Sequence, residues 1–291
     1  MTAVVADGVA ALPATPVRPR RARGRRSAWT WRLVGVVVLF SAWELVATRV
    51  ADPAVFPAPG LVVRDLQENF AGSRALQFLG LEETSYLGNL RYTAVVVLTA
   101  WLAGATLGVV GGVLASRVQP VRDLVEPVTS VFGVVPALVA APFALIWFGF
   151  GAGGQWALVA FFSAVTVAGA TMVAALSVPP RYEEYAATLG IGRRDRLRHV
   201  VLPRSMPATL AAIRAALAAA WGMQTIVELL GSQLGVGRVI SVRAGTGDVA
   251  AVLAVIAVVG IAAALADLAF VALARRALRW QAAETGRGRR A

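Results

Sequence analysis

Apolar residues are gathered into six long runs along the chain, and short polar segments separate them. The runs cover residues 33–50, 91–116, 125–149, 156–178, 207–231 and 249–274. A helix needs about 20 apolar residues to cross the hydrocarbon core of a bilayer, and each run approaches or exceeds that length. A helix also satisfies its own backbone hydrogen bonds within one span. The pattern therefore predicts an all-α membrane protein with six transmembrane helices.

The third run differs from the others because it contains three prolines, Pro127, Pro136 and Pro142. Proline has no N–H group to donate, and its ring clashes with the preceding turn of a helix. We therefore expect the third span to be kinked or broken.

Three glycines in the second run, Gly104, Gly108 and Gly112, recur at every fourth position. This spacing places them on one face of a helix and allows another helix to approach closely. The spacing favours packing between helices of one subunit, and a seam between two copies is the alternative.

The basic residues follow the topology of the spans. All 28 are arginine, and the formal net charge is +12. If the N-terminus is cytoplasmic, 22 of the 28 arginines fall on the cytoplasmic side, which is the side that basic residues prefer. The sequence thus predicts that both termini are cytoplasmic. Topology and contact with anionic membrane lipid account for the positive charge, so binding to nucleic acid is not needed to explain it.

Composition excludes several kinds of chemistry. The chain has no cysteine and a single histidine, His199, so disulfides and clusters of cysteine or histidine metal ligands are excluded. It also has no lysine, which a phosphate-binding P-loop requires. We therefore predict no catalytic site, no metal site and no ATPase site.

The chain divides into one long domain and two polar ends. Residues 1–32 are rich in arginine and proline, which is typical of a disordered cytoplasmic tail. A signal peptide is the competing interpretation, but the first apolar run continues without a small-residue cleavage site. We expect a membrane domain at 33–280 and a second cytoplasmic tail at 281–291.

Four acidic residues, Glu44, Glu126, Glu228 and Asp267, lie at or within the apolar runs. A charge at the centre of a span costs about 2.5–3.5 kcal/mol on insertion scales, so each needs a partner or a polar cavity. We expect Asp267 to pair with the arginines that follow it, Arg275 and Arg276. We expect Glu44 and Glu228 to face a polar cavity or a partner, such as Arg49 or Arg91.

Polar groups in the fifth run are candidates for a substrate pathway, where weak polar contacts suit a passing solute. The candidates are Met223, Gln224, Thr225 and Glu228.

The most polar segment between two runs is RYEEYAATLGIGRRDRLRHVVLP, residues 181–203. Tyr182, Tyr185, Ala186 and Leu189 follow the spacing of one helix face. Gly190-Ile191-Gly192 then permits a tight turn, a second short helix follows, and Pro203 and Pro207 punctuate the entry to the fifth run. This pattern predicts a helix-turn-helix on the cytoplasmic side. It serves either as an interfacial hairpin among lipid headgroups or as a docking site for a protein.

The same segment resembles the cytoplasmic loop of ABC importer permeases, which carries the EAA motif. The anchors of that motif occur here at the family's spacing, and they are Glu184, Ala186, Gly190, Val200, Leu202 and Pro203. Tyr185 stands where the motif has its first alanine, and Val200 stands for isoleucine. Both substitutions keep the apolar face.

The resemblance extends over residues 33–280 and is to permeases of the nitrate, sulfonate and taurine importers. It rests on FPAP at 56–59, WFGFG at 147–151, LGVG at 234–237, and Arg214 in AAIRAAL. The chain departs from the family at GVVP, residues 133–136, where an arginine is common.

The resemblance implies a type I ABC importer permease in a bacterial inner membrane. Two copies would form the pathway, a separate ATPase would bind ATP and dock on the cytoplasmic loop, and an extracytoplasmic binding protein would deliver a small anionic solute, such as a sulfonate, nitrate or a taurine-like molecule. The resemblance assigns docking to Tyr182, Glu184, Tyr185, Ala186, Leu189, Gly190, Leu202 and Pro203. An ion-coupled secondary transporter is the alternative, although no inverted repeat is evident.

Overall fold

A computed structural model describes residues 25–278, apart from 51, 53 and 150. The first half contains α1 (Arg25–Val50), α2 (Pro59–Asn69), α3 (Arg74–Phe78), α4 (Tyr86–Arg117), α5 (Gln119–Val134) and α6 (Ala137–Phe148). The second half contains α7 (Ala152–Leu176), α8 (Pro180–Thr188), α9 (Arg193–Arg196), α10 (Leu202–Gly231), α11 (Val236–Gly245) and α12 (Val249–Ala277). The described residues form no strand, which confirms the predicted all-α class.

Five helices, α1, α4, α7, α10 and α12, are long and apolar enough to cross a membrane by length and composition. A sixth span exists if α5 and α6 are counted as one broken span, because the two are bent by 118°. Pro136 is the N-cap residue of α6, and Val135 before it has an extended backbone, as the residue preceding a proline prefers. The predicted break in the third span is confirmed.

The structure describes only part of the two predicted polar tails. Helix α1 begins at Arg25, so the last part of the predicted tail at 1–32 is helical. The rest of that tail and the tail at 281–291 lie outside the described residues.

The core is built on the close packing of α4 against α7. A side chain at Gly104, Gly108 or Gly112 would overlap the backbone carbonyl oxygens of Ala160, Ala164 and Ala168 on α7. The glycine face is therefore an internal contact of one subunit, as predicted. Helix α10 completes this core through Leu217, Ala220, Trp221 and Val227.

Helices α2, α3, α11 and α12 form a second core at one end of the bundle, and it is centred on Tyr86, Val239 and Val255. Side-chain caps mark where two long helices begin. Ser85 accepts a hydrogen bond from the backbone N–H of Gly88, and Asp248 accepts one from Ala251. Helix α1 stands apart and contacts the rest mainly through Trp43, whose indole N–H donates to the Pro57 carbonyl at 3.1 Å.

Candidate functional site

Residues 180–203 form a helical hairpin, as the sequence predicted. Its first arm is α8, and the backbone reverses at Gly190, where φ is +77°. The N–H of Gly190 donates to the Ala187 carbonyl at 3.0 Å, and that of Ile191 donates to the Ala186 carbonyl at 3.1 Å. These two bonds make a Schellman turn, which needs a left-handed residue at the position of Gly190.

The second arm differs from the prediction because it does not stop at Pro203. Helix α9 leads into a π-helical turn at Leu197–Val201, which continues directly into α10. The N–H of Leu202 donates to the Leu197 carbonyl across this wider turn. The wider turn lies just before Pro203, whose ring would clash with a regular preceding helical turn. One helix therefore runs from Arg193 to Gly231.

The predicted apolar face of α8 is divided between the two sides of the hairpin. Ala186 is buried, and Val201 packs with Ala175 and Val178 at the end of α7. Tyr185 and Leu189 instead point outward, with 69% and 63% of their surface exposed. Among the other predicted docking residues, Glu184 and Gly190 are exposed. Tyr182, Leu202 and Pro203 are half-buried.

Two contacts attach the hairpin to the spans. Glu183 accepts hydrogen bonds from both terminal nitrogens of Arg117 at the end of α4, at 2.9 and 3.0 Å. The Arg204 guanidinium lies 3.6 Å from the ring centroid of Tyr182. Hydrogen bonding to Arg181 and the charge of Arg204 lower the pKa of the Tyr182 phenol.

A second site lies inside the bundle, where α4, α10 and the start of α11 meet. We call it the polar centre, and its central residue is Glu228, whose side chain is fully buried. The Thr93 hydroxyl lies 2.8 and 3.0 Å from the two carboxyl oxygens. Gln224 Nε2 donates to one oxygen at 2.9 Å, and the backbone N–H of Gly237 donates to the other at 2.9 Å. Every one of these donors is neutral.

The backbone at the start of α11 is shaped to receive this carboxyl group. Gly235 has a φ of +101°, and a side chain there would overlap the carboxyl group of Glu228. A side chain at Gly237 would overlap the Thr225 carbonyl oxygen and Glu228 Cβ. Asn89 Oδ1 accepts from the Gly235 N–H at 2.9 Å and completes the cradle. The two glycines of LGVG therefore allow the start of α11 to pack directly against Glu228.

The polar centre shows the surroundings of several residues that were predicted to line a pathway in the fifth span. Glu228 contacts neither Arg49 nor Arg91, since its partners are neutral donors. Gln224 is fully enclosed, with its amide nitrogen 2.7 Å from Gln155 Oε1, and Met223 is also buried. In this conformation none of these three side chains lines an open path. Of the four predicted pathway residues, only Thr225 keeps partial exposure.

Asp267 pairs with a different arginine from those predicted. Arg214 Nε and Nη2 donate to its two carboxyl oxygens at 2.6 and 2.7 Å, which joins α10 to α12. The expected pairing with Arg275 or Arg276 was wrong. A side chain about two-thirds of the way along α12 reaches across to a neighbouring helix more easily than past two turns of its own helix.

Sequence reasoning missed a third polar cluster, which joins α2, α4 and α11. The Tyr86 hydroxyl donates to Asp65 Oδ2 at 2.7 Å, and the buried Arg243 donates to Asp248 at 3.0 Å. Burial raises the pKa of the Asp65 carboxyl group. Asp65 belongs to an amphipathic helix, and only a contact between distant segments reveals its partner.

Residues 104–279, more than half of the chain, match the family described as "Binding-protein-dependent transport system inner membrane component". The taurine transport system permease protein TauC of Escherichia coli is 28% identical over 225 residues, covering 74% of this chain and 80% of that protein. The putative aliphatic sulfonates transport permease protein SsuC of Bacillus subtilis is 26% identical over 238 residues, covering 81% and 82%. The nitrate import permease protein NrtB of Synechococcus elongatus is 26% identical over 232 residues, covering 74% and 80%.

Solved structures have the same fold. The MetNI methionine ABC transporter in its inward-facing conformation gives a TM-score of 0.58 at 18% identity, covering 70% of this chain and 98% of that chain. An amino acid ABC transporter gives 0.53 at 19% identity, covering 67% and 92%. These are type I ABC importer permease folds, as predicted. The family is one of permease subunits and not of enzymes, and ATP hydrolysis belongs to a separate ATPase. The chain belongs to the binding-protein-dependent transport system inner membrane component family and is a multi-pass permease subunit of an ABC importer, of the nitrate, sulfonate and taurine type.

Proposed function

We propose that this permease forms the pathway of an ATP-driven importer for a small anionic solute across the bacterial cytoplasmic membrane. Three relatives that cover about three quarters or more of the chain are named for taurine, aliphatic sulfonates and nitrate, and a further one that covers 94% of it is named for riboflavin. Taurine and the aliphatic sulfonates carry a sulfonate group, and nitrate is itself an oxyanion. This shared chemistry supports an anionic solute of the same class.

The observation that carries the proposal is the geometry of the hairpin. It presents Tyr185, Leu189 and Gly190 outward, where an ATPase subunit would dock. Its second arm is continuous with α10 up to Gly231. Its first arm is tied to α4 through Glu183 and Arg117. A push on the exposed turn would therefore move two spanning helices, because one arm continues into α10 and an ion pair holds the other to α4.

The proposed orientation places the hairpin, both termini and the tails at 1–32 and 281–291 in the cytoplasm. The support is the concentration of arginine in segments on that side. The permease domain would then be residues 33–280. The loop with α2 and α3 would face the other side of the membrane, where a solute-binding protein delivers its cargo.

We further propose that two copies assemble as a homodimer. An apolar cleft of about 750 Å³ between α5, α6 and α7 is lined by large exposed side chains, among them Phe132, Phe143 and Trp147. These side chains would be covered by a second copy or by lipid. Thr225 is the residue of the fifth span that we retain as a candidate for the pathway.

The test is Gly190→Leu in the permease produced together with its ATPase. The leucine would project from the exposed turn into the docking surface of the ATPase. We expect normal membrane insertion and yield, loss of ATPase co-purification, and loss of solute uptake in proteoliposomes.

Gly80→Leu is the matched control for this experiment. Gly80 also has a positive φ, +73°, and open space around it, but it lies in the loop after α3. It carries the same backbone penalty without touching the hairpin, so the ATPase should still co-purify. Normal uptake by Gly190→Leu would refute docking at this turn. Uphill transport by the permease without an ATPase would refute the whole proposal.

A further inference from the structure

A cleft of about 570 Å³ opens between the end of α4 and the hairpin. It is lined by Ser116, Arg117, Glu183, Arg193, Arg194 and Arg196. An adjoining hollow of about 330 Å³ shares four of these residues and extends to Leu176 and Val178. Helices α4 and α7 both end at this level, so the cleft lies where a spanning helix emerges into the headgroup layer.

The charges in the cleft do not balance. Glu183 is already satisfied by Arg117, which uses both of its terminal nitrogens for that contact. Arg193 and Arg194 are exposed at the rim. Arg196 makes only a long contact of 3.4 Å from Nη1 to the Glu183 carbonyl. Its enclosed Nε has no hydrogen-bond partner among the described residues.

Two further acidic groups belong to the same hairpin. Glu184 borders the adjoining hollow, and Asp195 is exposed on α9. Neither forms an ion pair with the cleft arginines among the described residues. Three arginines thus surround a cavity that is large enough for a phosphate group, and no carboxylate among the described residues forms an ion pair with them.

We propose that this cleft binds a phosphate-bearing anion, with the headgroup of an anionic phospholipid as its source at the membrane face. Guanidinium groups match the oxygens of a phosphate in paired hydrogen bonds, which a cluster of arginines provides and a single point charge does not. Basic pockets between spanning helices on the cytoplasmic side suit anionic headgroups. Free phosphate presents the same chemistry and is the soluble source to be distinguished.

Binding has a mechanical consequence, because the lining comes from two separate parts of the fold. Arg193, Arg194 and Arg196 belong to the hairpin, whereas Ser116 and Arg117 belong to α4. An anion held between them would add a bridge to the ion pair between Arg117 and Glu183. The effect on transport rests on the proposed coupling role of the hairpin, but the binding itself does not.

The experiment uses the full chain, purified in a neutral detergent, with three probes. These are short-chain phosphatidylglycerol, short-chain phosphatidylcholine and inorganic phosphate. Thermal unfolding and native mass spectrometry report binding on the permease alone, so the result is independent of ATPase docking and uptake. We expect phosphatidylglycerol to bind and to raise the unfolding temperature, and phosphatidylcholine to do neither.

The diagnostic variant is Arg193→Gln/Arg194→Gln, which removes two exposed rim arginines without disturbing a buried contact. It should weaken binding of phosphatidylglycerol roughly 30-fold, as expected for two arginines near an anionic headgroup. Arg275→Gln/Arg276→Gln removes the same charge at the end of α12 and should change binding less than about twofold. Arg194→Lys keeps the charge but loses the paired geometry, and we expect an intermediate loss.

Each outcome bears on the proposal. Binding of phosphatidylglycerol that free phosphate cannot displace supports a lipid headgroup. Binding of inorganic phosphate that the rim variant weakens supports the site with a soluble source. Equal binding of the two lipids overturns the proposal, and so does an equal loss in the α12 control.

Discussion

Two tetrapeptides of this permease are nearly identical, and comparing them separates two reasons for a glycine. Leu189-Gly190-Ile191-Gly192 lies in the exposed turn of the hairpin, and Leu234-Gly235-Val236-Gly237 lies at the polar centre. Each comes directly before or at the start of a short helix, and the first glycine of each has a positive φ, +77° and +101°. The backbone conformations nevertheless differ. Gly190 is the left-handed residue of a Schellman turn, whereas Gly235 has a ψ of 167° and is extended at positive φ, a conformation that is nearly restricted to glycine.

The surroundings of the two tetrapeptides are opposite. No atom lies within 4 Å of the position that a side chain would take at Gly190 or Gly192. At Gly235 and Gly237 that position is filled by Glu228 and by backbone atoms of α10. The hairpin needs a glycine only for its dihedral angle, whereas the polar centre also needs one for space. Burial, and not the local sequence, sets what a substitution costs.

The largest effect should come from Gly237, the last glycine of the tetrapeptide at the polar centre. Gly237→Ala forces a methyl group against the Thr225 carbonyl oxygen and Glu228 Cβ. Overpacking of this kind costs about 3 kcal/mol when backbone cannot move away. We expect a sharp fall in the yield of monodisperse protein and in the thermal unfolding temperature in detergent.

Gly192→Ala is the matched change in the hairpin. Gly192 has a φ of −65°, which alanine adopts freely, and open space around it. Its unfolding temperature should stay close to that of the wild type, because surface changes usually stay within about 0.5 kcal/mol. If the two variants are equally stable, space is not the reason for Gly237.

The second-largest loss of stability should come from a change at Glu228, whose carboxyl group contacts the tetrapeptide of the polar centre. Glu228→Gln keeps the shape of the side chain but replaces one acceptor oxygen with a donor. That donor would face Thr93 and Gln224 or the Gly237 N–H, which already donate. A buried group left without its partner costs about 1–3 kcal/mol. We expect a loss near 2 kcal/mol in that range, measured by thermal unfolding.

Glu184→Gln in the exposed hairpin is the control for that change. Its side chain is exposed, so the substitution should leave the unfolding temperature unchanged. A wild-type unfolding temperature for Glu228→Gln would show that the hydrogen bonds to both carboxyl oxygens contribute little.

The sequence predicted the features that depend on local periodicity and composition. The apolar runs identified the spanning helices, the prolines identified the broken third span, and the glycines of α4 identified the packed face. The hairpin followed from the charged segment at 181–203 and its central glycine. Each of these signals lies within one helix or one turn, which a single sequence displays.

The sequence did not predict which side chains contact each other between distant parts of the chain. Thr93 and Glu228 are 135 positions apart, and Arg214 and Asp267 are 53 apart. Periodicity tells which face of a helix is apolar but not which helix lies against it. The same limit led us to name only a polar cavity or an arginine, Arg49 or Arg91, as the surroundings of Glu228, and the neutral donors from α4, α10 and α11 were not identified.

The sharpest test of the comparison is at the first glycine of each tetrapeptide. The smallest effect is expected at Gly190. Gly190→Ala meets no atom and bears only the penalty of a left-handed backbone, about 1 kcal/mol. Gly190→Asn should recover part of that loss, because asparagine tolerates this conformation. Gly235→Ala bears a larger backbone penalty, because φ of +101° with ψ of 167° is nearly restricted to glycine, and it also displaces Glu228. It should therefore be clearly less stable, and Gly235→Asn should give no recovery. Thermal unfolding of the four variants side by side compares the two positions. Equal losses would mean that neither the extended backbone nor the displaced Glu228 adds a cost, and the distinction between an open turn and a filled cradle would fail.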